Sequence, residues 1–205
     1  MPNSFLKQFL ICNLQETENL TMARTESNML PLGTKAPNFN LLDTVSGKKL
    51  KLSDVYGEKA TVVMFICNHC PYVQHLNKEI AKLVNDYTDS DVNFVAISSN
   101  DVEKYPEDSP EKMKITAEEN GYDFPYLYDE TQEIAKAYDA ACTPDFYVFD
   151  ANLELVYRGQ FDDSRPGNSM PITGRDIRSA IDAAIMGKRI YKTQKPSMGC
   201  NIKWK

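Results

Sequence analysis

ATVVMFICNHCP, residues 60–71, is the most informative segment of the chain, because it combines a buried strand with a closely spaced pair of cysteines. Residues 60–66 form a nearly continuous apolar run rich in β-branched side chains, which is typical of a strand buried on both faces. Cys67 and Cys70 follow at once. Apolar residues then recur at helical spacing over residues 71–87, which predicts an amphipathic helix. The sequence therefore places the two cysteines at a junction between a strand and a helix.

The patterns on either side of this segment predict an alternation of strands and helices. One hairpin is expected around Ser46-Gly47 and another around Asp150-Ala151-Asn152. The other expected elements are a strand over residues 92–97, a helix begun by Ser109-Pro110, an extended segment over 124–128, a short helix over 133–138 and a last helix capped by Thr173. This order predicts an α/β fold, namely a three-layer sandwich with a mixed sheet and an N-terminal β-hairpin.

Composition and charge limit the classes of function. The chain has 205 residues, of which 42% are hydrophobic and 25% are charged, as expected for a soluble globular domain. Its 29 acidic and 23 basic residues leave a net charge of −6, which argues against non-specific binding of nucleic acid. No stretch approaches the roughly 18–20 apolar residues of a membrane span. Since no leader is recognisable, a cytoplasmic protein without nucleic-acid or membrane partners is expected.

The chain divides into a body and two flanking segments. Residues 1–29 are polar and unpatterned, and are expected to form a disordered or loosely held extension, in which the choice between Met1 and Met22 as the translation start stays open. Residues 30–188 are expected to form the folded domain. Residues 189–205 contain basic but no acidic residues, and are expected to form a basic C-terminal tail.

The spacing of Cys67 and Cys70 suits thiol–disulfide exchange. A cysteine at a helix N-terminus lies among backbone N–H groups that have no intrahelical partner and that stabilise a thiolate. A second cysteine three residues on can attack a mixed disulfide formed at the first. Cys67 is therefore the expected nucleophile and Cys70 the expected resolving thiol. Asn68 and His69 lie between them, and a histidine there can donate a hydrogen bond to the thiolate or place a positive charge beside it.

Other uses of a Cys-x-x-Cys pair stay open when spacing alone is considered. A zinc site would need two further ligands, usually a second close pair. The remaining cysteines, Cys12, Cys142 and Cys200, are single and far apart, and the other histidine, His75, lies on the predicted helix. A redox role is therefore favoured over a metal site and over a purely structural pair. No metal and no cofactor are expected.

Four motifs carry a resemblance to a known superfamily. They are GTKAPNF at residues 33–39, FICNHCPYV at residues 65–73, Thr143-Pro144 before a late strand, and GCNIKW at residues 199–204. Together they resemble the thioredoxin superfamily, and within it the redoxin branch that includes the alkyl hydroperoxide reductase and thiol-specific antioxidant proteins. The second and fourth motifs are similar to those of bacterial and cyanobacterial thioredoxin-like proteins of poorly defined role. The resemblance covers about residues 30–205.

The resemblance implies a role for Thr143 and Pro144. Pro144 would be a cis-proline that faces the cysteine pair, and the backbone beside it would pair with a thiol or peptide partner. From the sequence without the resemblance, an ordinary turn proline is the simpler interpretation. Cys142, two residues before Pro144, is either a third redox thiol or a buried packing residue, and packing is favoured. Cys200 is either a second resolving thiol or a passive one, and Cys12 is expected to be incidental.

The sequence around the cysteine pair differs from that of these relatives. Ile66 stands where thioredoxins carry a tryptophan, and residues 60–66 lack the buried acid of the thioredoxin strand. If Cys70 occupies the peroxidatic position of peroxiredoxins, Val63 and Cys67 replace the proline and threonine of their motif. The resemblance therefore implies the fold and thiol chemistry more strongly than it implies efficient peroxidase activity.

Residues and resemblance together predict a thiol–disulfide oxidoreductase that acts on protein or small-molecule thiols and disulfides. A first alternative is a peroxiredoxin-like thiol peroxidase with antioxidant activity, in which peroxides are the substrates. A second alternative, of another class, is a non-catalytic thioredoxin-fold binding module. The sequence does not predict the oligomeric state.

Overall fold

The structure is a computed structural model that describes residues 24–188 and 193–205. Its strands are β1 (Arg24–Glu26), β2 (Asn40–Asp43), β3 (Lys49–Lys51), β4 (Ala60–Phe65), β5 (Val92–Ser98), β6 (Tyr126–Tyr128), β7 (Cys142–Thr143), β8 (Asp145–Asp150), β9 (Leu155–Gly159) and β10 (Met198–Asn201). Its helices are α1 (Leu52–Val55), α2 (Pro71–Asp86), α3 (Pro110–Asn120), α4 (Glu133–Ala137) and α5 (Arg175–Ile185), and Pro106–Asp108 forms a 3-10 turn. None of the helices in these two ranges has the length and apolar character needed to span a membrane.

A seven-stranded mixed sheet forms the centre of the molecule, with strands in the order β3-β2-β6-β5-β4-β8-β9. β4 lies within it, parallel to β5 and antiparallel to β8, and all of its residues are buried. Burial on both faces explains why the sequence of β4 is apolar at every position but Thr61 rather than alternating. The predicted mixed sheet is confirmed, and so is the N-terminal hairpin, in which β2 and β3 pair antiparallel.

Helices cover both faces of this sheet. On one face, Val62 and Met64 of β4 pack in a core with apolar residues of α2, α3 and α5. On the other face, Val63 and Phe65 pack with residues of α1 and α4. Ile80 of α2 is fully buried, which contributes about 1.5–3 kcal/mol to folding for a side chain of this type. The predicted three-layer sandwich is confirmed, and its packing holds the start of α2 against the end of β4.

A second, three-stranded sheet has the order β1-β10-β7 and was not predicted. β1 lies within the segment expected to be a loosely held extension, and β10 lies within the segment expected to be a basic tail. Both strands pair antiparallel, β10 with β1 on one side and with β7 on the other. They are too short to show a periodic pattern, and their partners are distant in the sequence. Cys12 and Met22, which the sequence analysis names, lie outside the described residues.

The start of α5 differs from the one expected from the sequence, where Thr173 is the capping residue. Gly174, with a φ of 63°, occupies the N-cap position instead. The amide groups of Thr173 and Gly174 donate hydrogen bonds to the carboxylate of Asp162, over 2.5 and 2.7 Å respectively. A carboxylate from the preceding loop therefore accepts the hydrogen bonds of the amides at this helix start. The left-handed backbone at the N-cap favours glycine.

Candidate active site

Cys67 and Cys70 lie where β4 ends and α2 begins, as the sequence predicts. Cys70 is the N-cap residue of α2, and Pro71 occupies its first turn, where a missing backbone N–H costs nothing. Both thiols are buried, with Cys67 2% exposed and Cys70 0% exposed. They are free thiols in this structure.

Thr143 contacts both sulfurs. The Cys67 Sγ lies 3.2 Å from the hydroxyl Oγ1 of Thr143, and the Cys70 Sγ lies 3.2 Å from its carbonyl oxygen. The peptide bond between Thr143 and Pro144 is cis, as the resemblance implies. The fold therefore brings together the cysteine pair and a dipeptide that follows it by more than 70 residues.

A third thiol completes the cluster. Cys200 is 2% exposed, and its Sγ lies 2.8 Å from the Sγ of Cys70. The backbone places it there, because Cys200 of β10 is the register partner of Thr143 in β7. Cys142, the neighbour of Thr143, points to the opposite face of β7 because successive side chains of a strand alternate. Its Sγ lies 3.7 Å from the Pro144 carbonyl oxygen, which supports the packing interpretation.

Asp108 holds the loop between the two cysteines, and the sequence analysis did not identify it. Its buried carboxylate accepts hydrogen bonds from the backbone amides of Asn68 and His69, over 2.7 and 3.2 Å. It also accepts one from the Asn100 side chain over 2.7 Å. The Asn68 side chain in turn accepts a hydrogen bond from the Tyr126 hydroxyl over 3.1 Å. No sequence pattern marks Asp108, because its partners lie 8 to 40 residues away.

His69 pairs with a carboxylate through its Nδ1. Its Nδ1 lies 2.6 Å from a carboxylate oxygen of Asp108, rather than bonding to a thiol. Its ring stacks on Tyr105, with the ring centroids 5.5 Å apart and the planes 6° apart. A buried carboxylate thus competes with the thiols for this nitrogen. The other role named for His69, a positive charge beside the thiolate, stays a prediction.

Comparison with known proteins agrees with this architecture. Residues 32–158 match the AhpC/TSA family. The chain belongs to the AhpC/TSA family. A "putative peroxiredoxin" of Mycobacterium tuberculosis is 28% identical over 116 residues, which are 57% of this chain and 68% of that protein.

Two solved structures extend the comparison. An uncharacterized conserved protein from Geobacillus kaustophilus is 61% identical, with a TM-score of 0.88 over 90% of this chain and 97% of that chain. The thioredoxin domain of a thiol-disulfide oxidoreductase from Bacteroides vulgatus is 17% identical, with a TM-score of 0.57 over 75% of this chain and 99% of that chain. The second likeness shows a shared thioredoxin fold. This AhpC/TSA protein is therefore a member of the thioredoxin-like redoxin branch.

The three thiols of this AhpC/TSA protein differ in acidity. Hydrogen bonds from the thiols of Cys200 and Cys67 lower the pKa of Cys70, against the effect of burial. Burial raises the pKa of Cys67, and the charge of Asp108 adds to the rise. The hydrogen bond to Cys70 raises the pKa of Cys200. These directions favour a thiolate at Cys70, the N-cap residue of α2, whereas the sequence analysis expects it at Cys67.

One group of potential metal ligands exists within the described ranges. The ligand atoms of Cys67, His69 and Asp108 all lie within 4.8 Å of one another. The Asp108 oxygens and the His69 Nδ1 are already engaged with one another and with backbone amides. These contacts fit a hydrogen-bonded acid–imidazole pair beside a thiol.

We expect His69 to titrate above its usual pKa of 6.5, chiefly because its hydrogen bond to Asp108 favours the imidazolium. Because the folded pKa is raised, the pair contributes fully to stability below about pH 6.5, and the contribution is lost as the pH rises through the folded value. Asp108→Asn should lower the pKa of His69, measured by NMR titration of the imidazole signals. The signals of His75, whose ring bonds Ser164, report any general disturbance. An unchanged His69 titration in Asp108→Asn would contradict the pairing.

Proposed function

We propose that this protein is a thiol–disulfide oxidoreductase in which Cys67 and Cys70 alternate between two thiols and one disulfide. The observation that carries the proposal is that both sulfurs, at the junction of β4 and α2, contact the same residue, Thr143. The Cys67 sulfur lies 3.2 Å from its hydroxyl oxygen, and the Cys70 sulfur lies 3.2 Å from its carbonyl oxygen. Membership of a redox family supports it. The proposed substrates are protein or small-molecule disulfides.

The lowered pKa of Cys70 favours this residue as the attacking thiol, in place of Cys67, which the sequence analysis expects in that role. The Cys70 thiolate attacks one sulfur of a substrate disulfide, which forms a mixed disulfide and releases the other substrate sulfur as a thiolate. Cys67 then loses its proton and attacks the Cys70 sulfur, which releases the second substrate thiolate and leaves a Cys67–Cys70 disulfide. The Asp108 carboxylate lies within 4.8 Å of the Cys67 sulfur and can accept that proton, directly or through a water molecule. This carboxylate supplies the buried acid that β4 lacks.

Single cysteine variants test the proposal. We expect Cys70→Ser to reduce glutathione disulfide no faster than buffer, because serine is not an effective nucleophile at neutral pH. Cys67→Ser should still release the first substrate thiolate but cannot form the Cys67–Cys70 disulfide, because the resolving thiol of the pair is missing. The measurements are the thiol released per protein and the protein mass.

Cys142→Ser is the matched control, because Cys142 is equally buried and adjoins Thr143 but points away from the pair. Its turnover should equal that of the unchanged protein. If Cys70→Ser retained full turnover, Cys70 would not be the attacking group and the proposal would be wrong.

A thiol peroxidase is the second candidate, and the family match and the M. tuberculosis relative favour it. In that reaction the Cys70 thiolate takes an oxygen from a hydroperoxide and releases an alcohol, and Cys67 then condenses with the sulfenic acid to give the disulfide and water. Val63 and Cys67 stand where peroxiredoxins carry a proline and a threonine. A rate of Cys70 oxidation by peroxide no faster than that of free cysteine would exclude this candidate.

The cytoplasmic location, and the expected lack of nucleic-acid and membrane partners, stay predictions. The non-catalytic binding module also stays an alternative, which gains if every cysteine variant keeps the function of the unchanged protein in cells.

A further inference from the structure

The strand that carries Cys200, β10, is held by a neighbouring strand on each side. β10 pairs with β1 on its outer side and with β7 on its inner side. Beyond it, the amide of Lys203 donates to the Asn100 side chain over 2.8 Å, and its carbonyl oxygen accepts from the amide of Asp101 over 2.8 Å. The strand that carries Cys200 is thus held beside the cysteine pair by backbone hydrogen bonds at several points.

Gly199 permits the close approach of this strand. A Cβ atom added at this position would lie 1.9 Å from the carbonyl oxygen of Thr143 and 3.1 Å from the Cδ of Pro144. Any other residue would push β10 away from the Thr143-Pro144 dipeptide, since backbone atoms block the space. The glycine therefore determines how near Cys200 comes to Cys70.

The sulfur of Cys200 is close enough to Cys70 for a covalent reaction. The 2.8 Å between the two Sγ atoms lies between the roughly 2.0 Å of a disulfide bond and the roughly 3.5–4.0 Å of ordinary non-bonded contact. Both residues are buried, and they come from segments 130 positions apart. The two sulfurs are therefore already closer than ordinary non-bonded contact before any bond forms.

We propose that Cys200 is a third redox thiol, which exchanges with Cys67 for the disulfide bond to Cys70. The inference rests on the proposed function, because the Cys67–Cys70 disulfide supplies the oxidising equivalent. Cys200 gives up its proton and its thiolate attacks the Cys70 sulfur. The Cys67–Cys70 bond breaks, Cys67 leaves as a thiolate, and it takes up a proton. The products are a Cys70–Cys200 disulfide and a Cys67 thiol, with no net oxidation or reduction.

A neighbouring hydroxyl can stabilise Cys67 as the departing thiolate. The Thr143 hydroxyl, 3.2 Å away, can donate to the departing sulfur. The oxidised protein thus has two isomers, and the second one joins the C-terminal strand covalently to the start of α2 while Cys67 is a free thiol.

The test compares three variants after treatment with one equivalent of glutathione disulfide, followed by blocking of thiols and peptide mass mapping without reduction. Cys67→Ser should form a disulfide between the Cys70 and Cys200 peptides. Cys200→Ser should form the Cys67–Cys70 disulfide. Cys142→Ser, the matched control, should behave as the unchanged protein does.

A steric variant tests the role of the strand. Introduced into Cys67→Ser, Gly199→Ala should slow formation of the Cys70–Cys200 disulfide by about tenfold or more, because a displacement of about 1 Å can cost as much as roughly 100-fold in rate. Met198→Ala on the same strand is the control, since it removes atoms and should leave the rate within about threefold of the Cys67→Ser parent.

The outcomes separate the two proposals. If Cys67→Ser retains glutathione on Cys70 while Cys200 stays a free thiol, the inference is overturned, and a Cys67–Cys70 disulfide in Cys200→Ser still supports the proposed function. If Cys200→Ser forms no Cys67–Cys70 disulfide, the proposed function fails and the inference fails with it.

Discussion

Arg158→Met is expected to lower the free energy of unfolding by about 3–5 kcal/mol, because it leaves a buried carboxylate without its partner. Arg158 is fully buried, and its Nη2 donates a hydrogen bond to a carboxylate oxygen of Asp145 over 2.8 Å. The same nitrogen donates to the carbonyl oxygen of Asp139, also over 2.8 Å. The guanidinium lies over the ring of Tyr147, 4.5 Å from its centroid. The measurement is the midpoint and slope of urea denaturation.

The loss of unfolding free energy in Arg158→Met depends on pH because Asp145 titrates. Burial raises its pKa to about 6, even though Arg158 beside it acts in the opposite direction. A raised pKa means that the folded protein binds this proton more tightly than the unfolded chain, so the stability falls as the pH rises from about 4 to about 6. Without Arg158 the pKa rises further. The loss in Arg158→Met should therefore be smaller at pH 5 than at pH 8.

Two controls show whether the effect comes from the unpaired buried charge. Arg175→Met removes a matched but exposed arginine, which pairs with Asp163 at 2.7 Å, and should change the stability by less than about 1 kcal/mol. The double variant of Arg158→Met with Asp145→Leu removes both buried charges and should recover most of the loss. If Arg158→Met costs no more than Arg175→Met, the explanation is wrong.

Asp108→Ala should have the second largest effect, on both stability and thiol reactivity. The substitution leaves the amides of Asn68 and His69 and the Asn100 side chain without their acceptor. Since each unsatisfied buried donor costs about 1–3 kcal/mol and part of this loop can reach water, we expect a loss of about 2–4 kcal/mol. Removal of the carboxylate charge should also lower the pKa of Cys67, so that the total rate of alkylation by iodoacetamide at pH 7 rises.

Glu107→Ala is the matched control for this prediction. Glu107 is the exposed neighbour of Asp108, and its contact with the Asn68 side chain uses the backbone carbonyl oxygen, which alanine retains. Its unfolding and alkylation should match those of the unchanged protein. Equal results for Asp108→Ala and Glu107→Ala would show that the carboxylate of Asp108 does not hold the loop.

The main elements of the fold were predictable because their signals are local. The apolar run of β4, the helical spacing after Pro71 and the turn at Ser46-Gly47 each depend on residues within one element. Ser109 also begins α3 as predicted, since its hydroxyl accepts a hydrogen bond from the amide of Lys112. In contrast, the cap of α5 was mispredicted, because the carboxylate that satisfies its first amides comes from Asp162 in another segment.

The sequence by itself determined the α/β sandwich and the location of Cys67 and Cys70 at a strand–helix junction, because local periodicity and spacing specify both. Only the tertiary structure decided which groups surround them. Asp108 and Cys200 reach the pair across about 40 and 130 residues, and no local pattern records such distances. The directions in which the pKa values of the thiols shift also come from the tertiary structure, because they depend on burial and on hydrogen-bond partners that other segments supply.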